Sequence, residues 1–252
     1  MTTLHVKHTH APGAAGAEAA GLRWLREASD IVVDVHAVDD FSLSITRIQP
    51  AHPTAEAARR AGQELAHIHD AGAEAHGCPP PGWEGPTFIG TQHQQCVPTR
   101  RWATFYAEQR VAPFARAAAE QGTLRPADAA DVERALDALL DADWDVEPSR
   151  LHGDLWAGNL LFGESGPALI DPAAHGGHRE TDLAMLALFG APYLEEIRAG
   201  YESVHPLPAG WLRFTCVHQL HPLAVHALTH GPAYGVELGE CARQALAVLR
   251  EG

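Results

Sequence analysis

The sequence predicts an α+β fold, in which a small mixed unit precedes a mainly helical remainder. Two observations indicate this class. The first fifty residues contain β-branched and alternating runs typical of strands, whereas later segments space their apolar residues as helices do. Alanine makes up much of the 46% hydrophobic share, which favours helix. We therefore expect two domains, residues 1–50 and 51–252.

The N-terminal unit is predicted to contain three extended segments and one helix. Residues 4–7 are extended, and residues 17–28 place Ala, Leu and Trp on one side of a helix. Residues 31–38 are rich in β-branched side chains, and residues 41–48 alternate apolar with hydroxyl side chains, as a half-buried strand does.

The remainder is predicted to be helical apart from one strand-turn-strand segment. A Pro-Pro-Pro-Gly run at residues 79–82 requires an extended loop. Helical periodicity covers residues 54–69, 101–121, 126–142, 181–189, 193–201, 212–229 and 236–250.

Charge and composition exclude several classes of protein. With 18 basic and 32 acidic side chains, the formal charge of -14 argues against binding to nucleic acid or to anionic membranes. No apolar run reaches the ~20 residues that a bilayer requires. The four cysteines form no CxxC pair, and no secretory leader opens the chain, so we expect a reducing, cytoplasmic setting. The sequence carries no signal for an oligomeric state.

Lys7 is the only lysine in the chain; the other 17 basic residues are arginine. A genomic bias towards arginine explains the ratio and would make the surviving lysine a matter of chance. Alternatively, position 7 needs a compact ammonium charge, because arginine does not replace lysine where a small cation must reach between phosphate oxygens.

Residues 151–171 carry the most informative pattern, LHGDLWAGNLLF followed by a turn and ALID. It predicts a loop and then a β-hairpin, which brings Asn159 beside Asp171. An amide oxygen and a carboxylate suit Mg²⁺, which completes its coordination with water and substrate phosphates. Asp154 precedes Asn159 by five residues, so it can face the metal and accept the proton of an attacking hydroxyl. This order of Asp, Asn and Asp is the layout of kinases.

These residues resemble the fructosamine kinase (ketosamine 3-kinase) family, a branch of the aminoglycoside and choline kinase-like phosphotransferases. Further blocks that resemble the family are AGQELAHIHDAGAEAHG, FIGTQHQQ, RRWATFYAEQRVAPFARAA and RFTCVHQLHPLAVHALTHGPAYG. The resemblance implies a two-lobed protein-kinase-like fold, here with a shortened N-terminal lobe and a mainly helical C-terminal lobe. It also implies ATP-dependent phosphorylation of a sugar hydroxyl of ketosamines, which is associated with deglycation.

Roles for individual residues follow from matching these motifs. Asp154 would be the catalytic base, and Asn159 and Asp171 the Mg²⁺ ligands. Lys7 would bind the nucleotide, and Glu18 matches the helix acid that pairs with this lysine. An exposed glutamate that complements a helix dipole is the alternative for Glu18.

Four more residues are expected near the substrate. Trp156 would stack on the sugar or form a wall of the pocket. His178, Arg179 and Glu180 resemble the family's GHRE element, and Arg179 would bind phosphate or brace Asp154 through a bidentate bridge.

The chain departs from the family before Lys7, where members carry a glycine-rich loop over the ATP phosphates. Gly13 and Gly16 follow Lys7 and cannot replace that loop. Three interpretations remain open: a working kinase with a minimal small lobe, a start codon placed too late, or a non-catalytic nucleotide-binding relative. The acceptor is also open at this point, because aminoglycosides and choline are cationic like ketosamines.

Overall fold

The structure is a computed structural model that describes residues 3–251. In chain order its elements are β1 (Leu4–His8), α1 (Ala14–Arg26), β2 (Val35–Val38), β3 (Ser42–Thr46), α2 (Ala55–Asp70), β4 (Thr87–Ile89), β5 (Gln92–Gln94), α3 (Trp102–Phe105), a π-helix (Tyr106–Val111), α4 (Ala112–Gln121), α5 (Pro126–Asp141), β6 (Ser149–Leu151), β7 (Leu160–Gly163), β8 (Gly166–Leu169), β9 (His175–Gly177), α6 (Glu180–Leu188), α7 (Leu194–Val204), a 3₁₀ turn (Trp211–Phe214), α8 (Thr215–His230) and α9 (Pro232–Glu251).

Two compact units divide the described chain. The first contains the residues up to Pro98 together with Glu147–Leu207, and the second contains Thr99–Val146 together with the residues from Pro208 onward. The predicted division between residues 50 and 51 stays a prediction. Within the described residues, no helix is both long enough and apolar enough to cross a bilayer.

A three-stranded antiparallel sheet opens the first unit. β3 is central and pairs with β1 on one side and β2 on the other, so that Lys7 lies opposite Leu43. Leu43 and Ile45 on β3 are buried, and α1 packs beside β2 and β3. The predicted alternation of residues 41–48 therefore marks the core strand of this sheet.

The predicted strand over residues 31–38 is wrong in its first half. Only β2 joins the three-stranded sheet, whereas residues 31–33 run beside β8. Leu169 donates its N–H to the carbonyl of Ile31 (2.8 Å) and accepts from the N–H of Val33 (3.2 Å). Ile31, Val32 and Val33 are all buried, because this segment lies against the hairpin rather than at the sheet edge.

Helices α2 and α7 cross in close contact within the first unit. A Cβ atom on Gly62 would lie 1.9 Å from the carbonyl oxygen of Ile197, and one on Gly200 would lie 2.0 Å from that of Arg59. Both glycines are needed because the two backbones approach too closely for a side chain. Arg59 also bonds Glu196 on the far helix, with Nη2 2.8 Å from Oε2.

The second unit is helical, as predicted, with one local difference. The predicted helix over residues 101–121 is interrupted by the π-helix before Pro113. Proline has no N–H to donate to the preceding turn, so the regular α-helical hydrogen bonds are interrupted at this point. Trp102 stacks on Tyr106 (ring centroids 5.0 Å apart), and the Tyr106 hydroxyl donates to the carbonyl of His218 (2.6 Å).

Candidate active site

The loop that carries Asp154, residues 152–159, connects β6 to β7. Gly153 has φ +80°, and a Cβ atom there would lie 2.3 Å from the carbonyl oxygen of Ala173. The loop then turns back on itself, since the Trp156 N–H donates to the Asp154 carbonyl (3.1 Å). The HGD motif therefore needs glycine for both its backbone conformation and its space.

The Asn159 amide joins Asp154 to Asn159 and also reaches Asp171, beside which Asn159 was expected. Asn159 Nδ2 lies 2.8 Å from the Asp154 carbonyl oxygen, 3.2 Å from Asp154 Oδ2 and 3.4 Å from the carbonyl oxygen of Asp171. Because the nitrogen faces Asp154, the amide oxygen remains available as an acceptor.

Burial raises the pKa of Asp154 to about 7. The hydrogen bond from Asn159 and the charge of Lys7 work in the other direction, whereas the nearby carboxylates of Asp171 and Asp182 raise the pKa further. A carboxyl group with such a pKa can accept a proton near neutral pH.

Lys7 bridges two carboxylates. Its Nζ lies 2.8 Å from Glu18 Oε2 on α1 and 3.0 Å from Asp171 Oδ2, which follows β8. Asp171 itself has φ +55°, a left-handed conformation that is uncommon outside glycine. The Lys7–Glu18 pair expected from the resemblance is present.

Glu18 is more deeply buried than its partner, because its side chain is 11% exposed against 31% for Lys7. Burial raises the pKa of Glu18 to about 7, although the ammonium of Lys7 lowers it. The second carboxylate oxygen, Oε1, is buried and bonds no described residue. The alternative of a solvated helix-start glutamate is therefore wrong.

Asp182 on α6 holds the first residues of the Asp154 loop. Its two carboxylate oxygens accept from the N–H groups of His152 (2.7 Å) and Gly153 (3.0 Å), and one oxygen lies 3.1 Å from His69 Nε2. Burial alone would raise the pKa of Asp182, but the hydrogen bond from His69 and the neighbouring groups hold it below its usual value. The His69 ring continues the chain of bonds to the Tyr201 hydroxyl (2.8 Å).

Arg179 does not make the expected bidentate bridge to Asp154. It donates instead to Asp70 Oδ1 (2.8 Å) and to the Tyr201 hydroxyl (3.1 Å). Arg179 immediately precedes α6, and Asp182 lies in the first turn of that helix. The orientation of α6 directs the Asp182 carboxylate to the Asp154 loop and the Arg179 guanidinium to Asp70. Asp182, rather than Arg179, therefore braces the loop.

Of the other three residues predicted near the substrate, only Trp156 lies in the cleft that contains Asp154. Trp156 is 43% exposed and lines the cleft that contains Asp154. His178 and Glu180 are 5% and 6% exposed and are not among the described residues that line this cleft. Direct contact of His178 or Glu180 with a substrate in this cleft is therefore not supported.

The residues predicted as base, metal ligands and nucleotide-binding pair share one cleft of about 450 Å³, which lies wholly within the first unit. Lys7, Glu18, Asp154, Asn159 and Asp171 all line it. The cleft thus contains three carboxyl groups, two of them bonded to the ammonium of Lys7, so it favours a further cation. Carboxylate and amide oxygens are the ligands that Mg²⁺ prefers, which Asp171 and Asn159 can supply.

One wall of the cleft was missed by the sequence analysis. Thr87, Phe88 and Gln94, from the β4–β5 hairpin, line it together with Thr91 in the turn. Each strand has three residues and no sustained alternation, so the period-2 signal is too short to detect. The Gly90-Thr91 pair between apolar and polar runs was the one local indication of a turn.

The fold belongs to the protein-kinase-like class that is found in phosphotransferases. Choline kinase LicA from Streptococcus pneumoniae superimposes with a TM-score of 0.59 over 98% of this chain and 86% of that chain, at 15% identity. At this identity the likeness shows the fold alone.

The chain belongs to the fructosamine kinase family, whose model matches residues 4–248. It is 37% identical over 220 residues to the "Probable ketoamine kinase YniA" of Escherichia coli (strain K12), covering 85% of this chain and 74% of that protein. The crystal structure of a "putative fructosamine-3-kinase" from Thermobifida fusca is 46% identical, with a TM-score of 0.90 over 98% of this chain and 86% of that chain. The protein is therefore a kinase that transfers a phosphoryl group to a sugar hydroxyl.

Proposed function

We propose that the protein phosphorylates the sugar hydroxyl of ketosamines with ATP and Mg²⁺, and so takes part in deglycation. The observation that carries this proposal is the arrangement in one cleft of the Lys7 bridge to Glu18 and Asp171 beside the Asp154–Asn159 pair. Family membership supports the reaction class.

Lys7 would bind the nucleotide phosphates, with Glu18 holding its ammonium in place. When bound, Mg²⁺ would neutralise phosphate charge, and Asp171 and Asn159 are the residues suited to hold it. The unpartnered oxygen of Glu18 and the excess of carboxylates around Lys7 fit a site that receives further positive charge.

Asp154 would orient the acceptor hydroxyl and take its proton. Asn159 keeps the carboxylate in one orientation, and Asp182 fixes the backbone of the preceding two residues. Positioning and electrostatic stabilisation provide most of the catalysis in phosphoryl transfer. The Asp154 loop, which is held by these hydrogen bonds and carries one ionisable carboxylate, can provide this positioning.

The substrate class rests on charge and on the family together. An anionic cleft favours a cationic amine, and ketosamines such as fructosyl-lysine carry one. Choline and aminoglycosides share this charge, so charge does not separate them. The family match favours ketosamines, as does the similarity to the "Probable ketoamine kinase YniA" of Escherichia coli.

The direct test is ADP release by the purified chain with Mg·ATP and one acceptor at a time: fructosyl-lysine, choline or an aminoglycoside. We expect a kcat/KM for fructosyl-lysine well above those for the other two, and a phosphate ester on the sugar by phosphorus NMR. Preferential turnover of choline or the aminoglycoside would contradict the proposed substrate.

We also propose that the protein works in a reducing, cytoplasmic setting. No disulfide joins Cys78, Cys96, Cys216 or Cys241 among the described residues, and Cys78 and Cys241 are buried. Localisation of a fusion to a fluorescent protein tests this directly, and export from the cell would contradict it.

A further inference from the structure

The β4–β5 hairpin carries none of the residues proposed to bind the nucleotide, the metal or the reacting hydroxyl, yet it forms a wall of the cleft that contains Asp154. Its two strands pair in register from Thr87 opposite Gln94 to Ile89 opposite Gln92, and the Thr87 hydroxyl donates to the Gln94 carbonyl (2.6 Å). The Phe88 ring contacts His93, with centroids 4.5 Å apart. These contacts fix the position of the strand that carries Gln94.

The hairpin is also held against the end of β1. The Phe88 ring meets His10 edge-on, with centroids 5.4 Å apart, and α1 packs beside β4. His10 lies three residues after Lys7 and lines the same cleft. The wall is therefore anchored to the elements that carry Lys7 and Glu18.

Gln94 is 7% exposed, and its side-chain oxygen is buried without a hydrogen-bond partner among the described residues. Thr9, which also lines this cleft, has a buried hydroxyl oxygen in the same state. Buried polar atoms are almost always hydrogen-bonded, and leaving one unpaired is costly. Two such side chains beside one cleft indicate a ligand with hydrogen-bonding groups.

We infer that Gln94 recognises the acceptor, by hydrogen bonds between its carboxamide and the hydroxyl groups of the sugar. An amide group both accepts and donates, and a hydroxyl does the same, so the two groups match in either orientation. The exposed ring of Trp156 in the same cleft offers an apolar face to the sugar carbons. This inference rests on the proposed function, because it assumes a polyhydroxyl acceptor beside Asp154.

Recognition of this kind determines specificity more than rate. A site built to bond a hydroxyl strongly rejects an analogue that lacks it, because the buried polar group is then left unpaired. Gln94 would thus favour sugar-bearing acceptors over choline, which has one hydroxyl. The selectivity between these acceptors is expected to depend on the carboxamide.

The test is Gln94→Leu, which keeps the approximate size of the side chain and removes its polar atoms. The matched control is Gln92→Leu on the same strand, since Gln92 is not among the described residues that line the cleft and its amide bonds Thr91. We expect the KM for fructosyl-lysine to rise about tenfold or more in Gln94→Leu, with the KM for ATP within about twofold of the parent value and little change in Gln92→Leu.

Thermal unfolding separates recognition from a structural role. Replacing an unpaired buried polar group by an apolar one of similar size is neutral or stabilising, so the Tm of Gln94→Leu should equal or exceed that of the parent.

A lowered Tm together with equal losses of kcat/KM for ATP and for fructosyl-lysine would overturn the inference, as would a rise in the KM for ATP alone. Equal acceptor KM values in parent and variant would overturn it and leave the proposed function intact. Absence of fructosyl-lysine turnover by the parent protein would overturn the proposed function itself.

Discussion

The role proposed for Asp154, that of the catalytic base, requires a partly buried carboxyl group to be ionised. Because burial raises its pKa to about 7, a large fraction of the free protein carries a protonated Asp154 at mildly acidic pH. A protonated carboxyl group cannot accept the proton of the acceptor hydroxyl. The activity should therefore be lost on the acidic side of neutrality.

We predict that kcat/KM for the ketosamine rises with pH up to about 7 and then levels off, because kcat/KM reports the ionisation of the free enzyme. Initial rates between pH 5.5 and 8.5, with Mg·ATP and the ketosamine both far below their KM values, measure this profile because the free protein then predominates. The acidic limb should be absent from the residual activity of Asp154→Asn. A parent profile that is level from pH 5.5 to 8.5 would contradict this account of Asp154.

At the scale of elements, α6 positions the Asp154 loop through Asp182. Two loop N–H groups and His69 depend on this one carboxylate. The pKa of Asp182 is lowered in the folded protein, so its stabilising effect is present above the unfolded pKa and is lost as the pH falls through the folded pKa.

We predict that Asp182→Ala destabilises the protein by about 3–5 kcal/mol, because it leaves buried donors unpaired. Thermal denaturation measures this loss, with Asp137→Ala on the exposed side of α5 as the control. The difference in the free energy of unfolding between the parent and Asp182→Ala should become smaller as the pH is lowered. A variant as stable as the parent would show that the loop holds its conformation without Asp182.

The crossing of α2 and α7 depends on the absence of side chains at the contact. We predict that Gly62→Ala destabilises the protein by about 1–3 kcal/mol, since the new Cβ atom meets a carbonyl oxygen of α7 and forces the helices apart. His67→Ala, at an exposed position on the same helix, is the control in chemical denaturation. Stabilisation by Gly62→Ala, as helix propensity alone would give, would refute the close contact.

The whole molecule shows which parts of the site can be predicted from the sequence. Asp154, Asn159 and Asp171 lie within 18 residues in a loop-hairpin motif, so local spacing was enough to bring them together. Lys7 was indicated by being the only lysine and by the family resemblance, and its pairing with Glu18 followed from that resemblance.

Other parts of the site and fold depend on contacts between residues that are far apart in the sequence, which local patterns do not reveal. Arg179 and Asp182 lie within four positions on the chain, and only the orientation of α6 determines which of them reaches the Asp154 loop. The strands around Phe88 and Gln94 are too short for a periodic signal, and the pairing of residues 31–33 with β8 is set by long-range contacts. These are the features in which the predictions were incomplete or wrong.

At the scale of the whole molecule, the proposed function requires one cleft to transfer a phosphoryl group to a ketosamine through Asp154. ADP release with Mg·ATP and fructosyl-lysine tests it most directly, with the parent, Asp154→Asn and Lys7→Ala compared and ATP binding measured separately. Asp145→Asn, at an exposed position in the second unit, serves as the control.

We predict substrate-dependent ADP release by the parent, a loss of about 100-fold to 10,000-fold in kcat for Asp154→Asn with ATP binding retained, and weakened ATP binding for Lys7→Ala. Phosphorylation of fructosyl-lysine by Asp154→Asn at the rate of the parent protein would contradict the assignment of Asp154 as the base.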